Sequence, residues 1–201
     1  NKLSTLKSYL NPLVSYTFEP GSTMKTFAWA SAIEEGIYDG DKLYESGQIP
    51  VADVVIKDFN KVGWGKISYD TGYAYSSNVA ATKLALELGI TKLTNYYEKF
   101  GFGQKTGIEL SGEVKGELDI TYKSELASAS FGQGMTATPI QLLQAYTAIV
   151  NDGVMLKPYI VKKIVNKKGE VSRQVGNLLC YCPRLRWRRA LFWIQDYYLA
   201  N

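Results

Sequence analysis

The sequence of 201 residues predicts a mixed α/β (α+β) fold, and two patterns carry that prediction. Helical segments closed by glycines or by capping residues recur through residues 22–150, and strand-like runs separated by a turn follow them. The composition, 46% hydrophobic and 21% charged, is typical of a folded globular protein. It excludes an intrinsically disordered chain and a coiled coil.

The first long helix is expected from Ser22 to Glu35, because Pro20-Gly21 breaks the preceding segment and Gly36 follows the last apolar residue. Its side chains are nearly all apolar or small, which predicts a buried helix. Further helices are expected at 68–75, at 79–88, at 91–100 with Thr91 as its cap, at 124–131, and after Thr138-Pro139 as far as Val150. Strands are expected at 51–56, at 159–165 and from about Val171.

The net charge of +4 comes entirely from the last part of the chain. Residues 1–172 hold 18 Lys, 18 acidic residues and no Arg, whereas residues 173–201 hold all five Arg, both cysteines and one acid. The neutral body offers no basic stripe for nucleic acid. Two explanations of this Arg/Cys-rich tail stay open, a basic extension that packs on the body and translation out of the original frame; the abrupt change of composition favours the second.

The chain contains no histidine, which excludes a Ser-His-Asp hydrolase, a Cys-His protease and a histidine-ligated metal site. Proton transfer must therefore use Lys, Asp, Glu or Tyr. The two cysteines, Cys180 and Cys182, are too few for a zinc site, and we expect no metal or cofactor. No apolar run is long enough to span a membrane, and the start at Asn1 leaves room for an upstream anchor.

Ser22-x-x-Lys25 is the first candidate site. A lysine three positions along a helix from a serine lies on the same face, and a desolvated lysine can remove the proton of a serine hydroxyl. The simpler interpretation of Ser22 as a helix cap stays open. The second candidate, Ser76-Ser77-Asn78, lies between two helical segments, where a hydroxyl and a carboxamide could relay a proton and hold an amide, or merely cap a helix.

Three other motifs accompany these two. The five motifs and their order along the chain resemble the transpeptidase domain of class B penicillin-binding proteins. The resemblance covers nearly all of residues 10–165 and rests on Glu19-Pro20-Gly21-Ser22-Thr23-Met24-Lys25, Tyr75-Ser76-Ser77-Asn78, Phe100-Gly101-Phe102-Gly103, Phe131-Gly132-Gln133-Gly134 and Thr138-Pro139-Ile140-Gln141. It implies a penicillin-binding protein and serine β-lactamase-like fold, with a helical region against an antiparallel sheet that is incomplete in this chain.

The resemblance also implies D,D-transpeptidation of peptidoglycan stem peptides. Ser22 would attack the D-Ala-D-Ala carbonyl, Lys25 would take its proton, Ser76 would shuttle protons, and Asn78 would hold the substrate's amide. β-Lactams would acylate Ser22. Proteins of cell-wall synthesis or division would be partners, and the enzyme would work at the outer face of the cell membrane.

Lys105-Thr106-Gly107 looks like the family's K-T-G motif but lacks the flanking apolar run of a strand, so we expect a surface turn. In the family the functional triplet follows the Thr138-Pro139 helix, and none follows it here. We therefore expect residues 1–172 to form a partial transpeptidase domain, truncated before that strand and impaired in activity. A serine β-lactamase and a non-catalytic penicillin-binding remnant or sensor remain the alternatives. Five aromatic residues are expected in the core rather than in a cleft: Trp64, Tyr73, Tyr75, Tyr96 and Tyr97.

Overall fold

A computed structural model describes residues 10–174 and gives them a mixed architecture of helices and short strands. This confirms the predicted fold class. The helices are α1 (Pro12–Ser15), α2 (Lys25–Glu34), α3 (Tyr69–Ala74), α4 (Asn78–Leu88), α5 (Ile90–Lys99), α6 (Lys123–Ala129) and α7 (Pro139–Val150), and a 3-10 helix, Gly21–Met24, directly precedes α2. The strands are β1 (Leu43–Glu45), β2 (Gln48–Val51), β3 (Val54–Lys57), β4 (Lys66–Ser68), β5 (Lys163–Val165) and β6 (Val171–Gln174).

Within these residues the strands form three separate antiparallel pairs, β1 with β4, β2 with β3, and β5 with β6. The single strand expected at 51–56 is wrong, because a turn at Ala52-Asp53 divides the run into β2 and β3, with Val51 opposite Val54. Ala52 has a φ of 51°, a conformation that the sequence did not signal because no glycine or proline stands there. The strand expected at 159–165 begins only at Lys163.

Helix α2 lies at the centre of the core, as its apolar sequence predicts. It packs on α4 and α5, and all but its last two residues are buried. The ring of Phe27 lies 4.9 Å from that of Phe100 and 5.1 Å from that of Phe102, centroid to centroid. The Phe100-Gly101-Phe102-Gly103 segment therefore supplies two fully buried rings that pack the end of α5 against the first turn of α2.

Helix α5 begins at Ile90, and the prediction of Thr91 as its cap is wrong. Gly89, with a φ of 82°, ends α4 by donating its N–H to the Ala85 carbonyl, and its own carbonyl accepts from the N–H of Leu93. One glycine thus closes one helix and opens the next. Thr91 falls inside the first turn of α5, where it caps nothing.

Thr138-Pro139-Ile140-Gln141 starts α7 as predicted and also fastens it to two loops. The Thr138 hydroxyl accepts from the N–H of Gln141, and the Gln141 carboxamide oxygen accepts from the N–H of Thr138, which closes a capping box. Gln141 is fully buried, and its amide nitrogen donates to the carbonyls of Gly101, Gln104 and Lys115. One side chain therefore satisfies backbone carbonyls of segments far apart in sequence.

Two more of the quoted motifs contact each other immediately before α2. The N–H of Gly21 donates to the carbonyl of Gly132 at 3.0 Å, and the N–H of Gly134 donates to the Glu19 carboxylate at 2.8 Å. Gly132 has a φ of 76°, and a Cβ added to it would lie 2.2 Å from the carbonyl oxygen of Gly21. Only glycine fits at this close approach, which sets the position of the turn before Ser22.

Replacing Gly132 by Ala tests that close approach. We expect Gly132→Ala to lower the free energy of unfolding by more than about 2 kcal/mol, because the clash adds to the strain of a left-handed alanine. Gly65→Ala is the matched control: Gly65 has a φ of 72°, and its added Cβ would meet nothing within 4 Å. We expect that control to lose only about 1–2 kcal/mol. Equal losses in urea unfolding would contradict the contact.

Candidate active site

The hydroxyl of Ser22 and the amine of Lys25 meet at the start of α2. Ser22 lies exposed in the 3-10 helix Gly21–Met24, and Lys25 is the first residue of α2. The distance from Lys25 Nζ to Ser22 Oγ is 3.1 Å. The predicted pairing is therefore present, although a tighter 3-10 turn rather than α-helix provides the spacing of three residues.

Ser76 completes the contacts of the lysine from the loop between α3 and α4. Lys25 Nζ lies 2.9 Å from Ser76 Oγ and also donates to the carbonyl of Ser76. Ser76 has a φ of 54°, a conformation that few non-glycine residues adopt. This conformation lets one residue direct both its carbonyl and its hydroxyl at the lysine, and strain of this kind occurs where the surroundings fix it.

Burial shifts the acid–base equilibrium of Lys25. Its side chain is buried, with the residue only 3% exposed, and this desolvation lowers its pKa from 10.5 to about 8, although the charge of Asp58 acts in the opposite direction. Desolvation disfavours the ammonium because the charge loses its hydration. A lysine with this pKa is partly neutral near physiological pH, as a general base must be.

The hydrogen-bond partners of Lys25 suit both of its protonation states. An ammonium has three N–H bonds to donate, and Ser22 Oγ, Ser76 Oγ and the Ser76 carbonyl accept them. A neutral amine donates only two and has a lone pair free. The carbonyl of Ser76 accepts in both states, so the neutral amine can receive a proton from the hydroxyl of Ser22. The arrangement can therefore activate Ser22 without histidine.

Asn78 is not among the groups that contact the lysine. It is the first residue of α4, and its side-chain amide donates to the carbonyl of Lys57 at 2.9 Å. The structure thus brings three of the four predicted residues, Ser22, Lys25 and Ser76, into direct contact. The fourth lies two residues farther along the same loop and connects it to the end of β3.

A buried carboxylate that sequence reasoning missed lies below this loop. Asp58, only 1% exposed, accepts hydrogen bonds from the hydroxyl of Ser77, the N–H of Val79 and the N–H of Gly47. An aspartate after a short strand is common in sequences, so no local pattern distinguishes it. Its importance arises only from the folded contacts between β3 and α4.

The expected core position of five aromatic residues is confirmed for Tyr96 and Tyr97 and is wrong for Tyr75. Tyr75 is 46% exposed, and its ring lies 5.1 Å from that of Trp64, which in turn contacts Phe59. Tyr75 directly precedes Ser76, so this exposed aromatic group borders the site.

Lys105-Thr106-Gly107 lies in a loop outside every strand of the described chain, as expected of a surface turn. The carboxylate of Glu113 holds it: one oxygen accepts from the N–H and the hydroxyl of Thr106, and the other accepts from the N–H of Gly107. This triplet therefore has a structural role of its own.

Two further predictions concern larger parts of the chain. Over residues 10–174 no helix is long and apolar enough to cross a membrane.

The backbone of Arg173 and Gln174 belongs to β6, and residues 175–201 lie outside the described residues. The interpretation of the Arg/Cys-rich tail, residues 173–201, and the proposed boundary at 172 thus stay predictions.

Comparison with known proteins gives a consistent result. A family described as the penicillin-binding protein transpeptidase domain matches residues 1–178. Stage V sporulation protein D of Bacillus subtilis is 38% identical over 75% of this chain, and peptidoglycan D,D-transpeptidase FtsI of Buchnera aphidicola is 35% identical over 86%. The chain spans 24% and 31% of the length of these two relatives, respectively.

Solved structures agree with the sequence comparison. Penicillin-binding protein 2X of Streptococcus thermophilus matches with a TM-score of 0.77 and 35% identity, over 85% of this chain and 26% of that one. Penicillin-binding protein 3 of Mycobacterium tuberculosis, in complex with aztreonam, matches with a TM-score of 0.75 and 33% identity, over 82% and 38%. Both likenesses cover most of the described residues and extend to the fold as well as the sequence.

The role of the Lys105-Thr106-Gly107 turn can be tested through Glu113. We expect Glu113→Ala to lower the free energy of unfolding by about 1–3 kcal/mol, because backbone donors lose a charged acceptor. The exposed Glu117, replaced by Ala, is the control, with an expected change within about 0.5 kcal/mol. The NMR titration of Lys25 should stay unchanged in Glu113→Ala. A shift of that titration would place the turn in the site.

Proposed function

Because the chain belongs to the penicillin-binding protein transpeptidase family, we propose that it carries the acylating centre of a peptidoglycan D,D-transpeptidase, with Ser22 as nucleophile and Lys25 as general base. One observation carries this proposal. A buried amine with its pKa lowered to about 8 lies within hydrogen-bond distance of two serine hydroxyls, in a chain without histidine. A hydroxyl beside such a base has the geometry of an activated nucleophile.

In the proposed reaction, Ser22 Oγ attacks the carbonyl carbon between the last two D-alanines of a stem peptide, and its proton passes to Lys25. The tetrahedral intermediate then collapses: the C–N bond breaks, and the leaving amine of D-alanine takes a proton relayed from Lys25 through the hydroxyl of Ser76. The product is an ester of Ser22. An amine of a neighbouring stem attacks this ester, forms the cross-linking amide and returns the serine hydroxyl.

Asn78 is the proposed contact for the substrate's amide. It stands at the same end of α4 as Ser76, and its carboxamide keeps its oxygen available while the nitrogen donates to Lys57. Two relatives support the substrate class, since FtsI of Buchnera aphidicola and MrdA of Escherichia coli are both named peptidoglycan D,D-transpeptidases. The aztreonam complex of the mycobacterial relative supports β-lactams as ligands of this chain, and Ser22 is the residue that they would acylate.

The location and the partners belong to the same proposal. Peptidoglycan lies outside the cytoplasm, so the chain would work at the outer face of the cell membrane together with proteins of cell-wall synthesis or division. The short strand pairs support a sheet of which residues 10–174 form only a part. Because a sheet strand would supply one oxyanion donor, we expect acylation by this chain to be slow.

Labelling with a fluorescent penicillin tests the nucleophile. We expect the chain to form a stable adduct on the peptide that contains Ser22, and Ser22→Ala to lower the labelling rate by at least about a thousandfold. Ser111→Ala, a change at an exposed loop serine, is the matched control and should label like the unaltered chain. Failure of folded protein to label would refute the acylating centre. Rapid hydrolysis of the adduct would instead indicate a β-lactamase.

The pH dependence of labelling tests the base. Below pH 8 Lys25 is mostly protonated and cannot accept a proton, so we expect the rate to rise about tenfold per pH unit and to level off above about pH 8. The rate should be half-maximal near the pKa of Lys25. Lys25→Arg, which stays protonated throughout this range, should abolish the rise. A profile that is flat between pH 6 and about 9 would contradict the role of Lys25.

A further inference from the structure

Asp58 is buried, yet the proposed reaction does not use it. Its carboxylate lies at the end of β3, where one oxygen accepts from Ser77 Oγ at 2.8 Å and from the N–H of Val79 at 3.1 Å. The other oxygen accepts from the N–H of Gly47 at 2.7 Å. Three donors therefore surround it, and none of them carries a positive charge. Such bonds stabilise an ionised carboxylate.

These bonds fix the residues on the C-terminal side of Ser76. Ser77 is fully buried between Asp58 and the start of α4, where its hydroxyl also accepts from the N–H of Ala80 at 3.0 Å. On the other side of Ser76, its own N–H donates to the Tyr73 carbonyl. Ser77 and the N–H of Ser76 are therefore both held by hydrogen bonds. Asp58 is thus bonded to the residue that directly follows Ser76.

Asp58 also acts on Lys25 through its charge. Its negative charge raises the pKa of Lys25, in opposition to the stronger effect of burial. The groups that face the amine directly are the neutral Ser22 and Ser76. On the helices that pack on α2, Glu87 of α4 pairs with Lys42, Lys92 of α5 pairs with Glu35 beyond the far end of α2, and Lys99 lies over the ring of Tyr96. Lys83 of α4 and Glu98 of α5 are the other charged groups on these helices, and the charge that shifts the pKa of Lys25 is that of Asp58.

We propose that Asp58 is a positioning residue of the acylating centre: its carboxylate holds the Ser76–Asn78 loop in place beneath Lys25 and balances the charge of the lysine ammonium. The inference rests on the proposed function. The mechanical part of the inference is that the hydrogen bonds of Asp58 hold the loop, and the electrostatic part is that its charge balances that of the Lys25 ammonium. Asp58 itself touches neither Ser22 nor the substrate carbonyl. Separate variants can remove each part.

Asp58→Asn removes the charge and keeps the size. The asparagine oxygen can still accept from Ser77 and Val79, but its NH₂ group then faces the N–H of Gly47. We expect the NMR midpoint of Lys25 to fall by at least about half a pH unit, because a nearby negative charge is lost. The plateau rate of penicillin labelling should fall roughly tenfold or more, because the Ser76 loop shifts. The Lys25 signal is identified by its absence in Lys25→Arg.

Three further variants separate the charge of Asp58 from its hydrogen bonds. Ser77→Ala breaks the bond to Asp58 and keeps the carboxylate, so we expect slower labelling with an unchanged Lys25 midpoint. Asp70→Asn removes another partly buried carboxylate, bonded to Tyr38 rather than to the loop, and should change neither quantity. Asp58→Glu keeps the charge in a longer side chain and should restore the midpoint with only partial recovery of the labelling rate.

A purely structural role of Asp58 would slow labelling without moving the Lys25 midpoint, so an unmoved midpoint in folded Asp58→Asn would overturn the electrostatic part. Normal labelling by Ser77→Ala would overturn the mechanical part. Asp58→Ser, which leaves room beside Gly47, serves as a second uncharged variant.

The titrations also distinguish this inference from the proposed function. They follow Lys25 in the free chain and require no reaction with penicillin. A chain whose Lys25 midpoint depends on Asp58 but that never forms an adduct would refute acylation and keep the electrostatic part. A chain that labels at Ser22 with a midpoint independent of Asp58 would keep the proposed function and refute that part.

Discussion

The buried amine of Lys25 is the constraint on which the rest of the site depends. A lysine taken out of water needs acceptors for its protons, and here they are Ser22 Oγ, Ser76 Oγ and the Ser76 carbonyl. Each acceptor needs its own support. The contact between Gly21 and Gly132 places the turn before Ser22, and the positive φ of Ser76 turns two oxygens towards one amine. The close packing around α2 thus holds Ser22 and Ser76 in position beside the amine of Lys25.

The sequence motifs divide into those that supply reacting groups and those that position them. Glu19-Pro20-Gly21 and Phe131-Gly132-Gln133-Gly134 meet through one backbone hydrogen bond and through the Glu19 carboxylate, and neither motif supplies a reacting side chain. Phe100 and Phe102 fill the core beside α2, and Gln141 ties α7 to the loop that follows them. These motifs therefore preserve the position of the segment that carries Ser22 and Lys25.

Local features were the ones that the sequence could predict. A glycine or cap bounds most helices, and a spacing of three residues is enough to place Lys25 beside Ser22. Ser76 lies 51 positions from Lys25 in the sequence, so the family resemblance, and not the spacing, predicted that it belongs to the same site. The turn at Ala52-Asp53, the exposed ring of Tyr75 and the burial of Asp58 could not be predicted, because each depends on contacts between distant segments. For Lys105-Thr106-Gly107, the missing apolar flank was a reliable sign of a turn.

The balance of charge around Lys25 explains why Asp58 acts from a distance. The ion pairs recorded for residues 10–174, Lys42 with Glu87 and Lys92 with Glu35, do not include Lys25. A carboxylate in direct contact would favour the ammonium and keep the lysine protonated, which would leave it unable to accept the serine proton. With no acid at all, burial alone would lower the pKa further and weaken the amine as a base. A carboxylate held one layer away by Ser77 and Val79 avoids both extremes and also fixes the loop that Lys25 contacts.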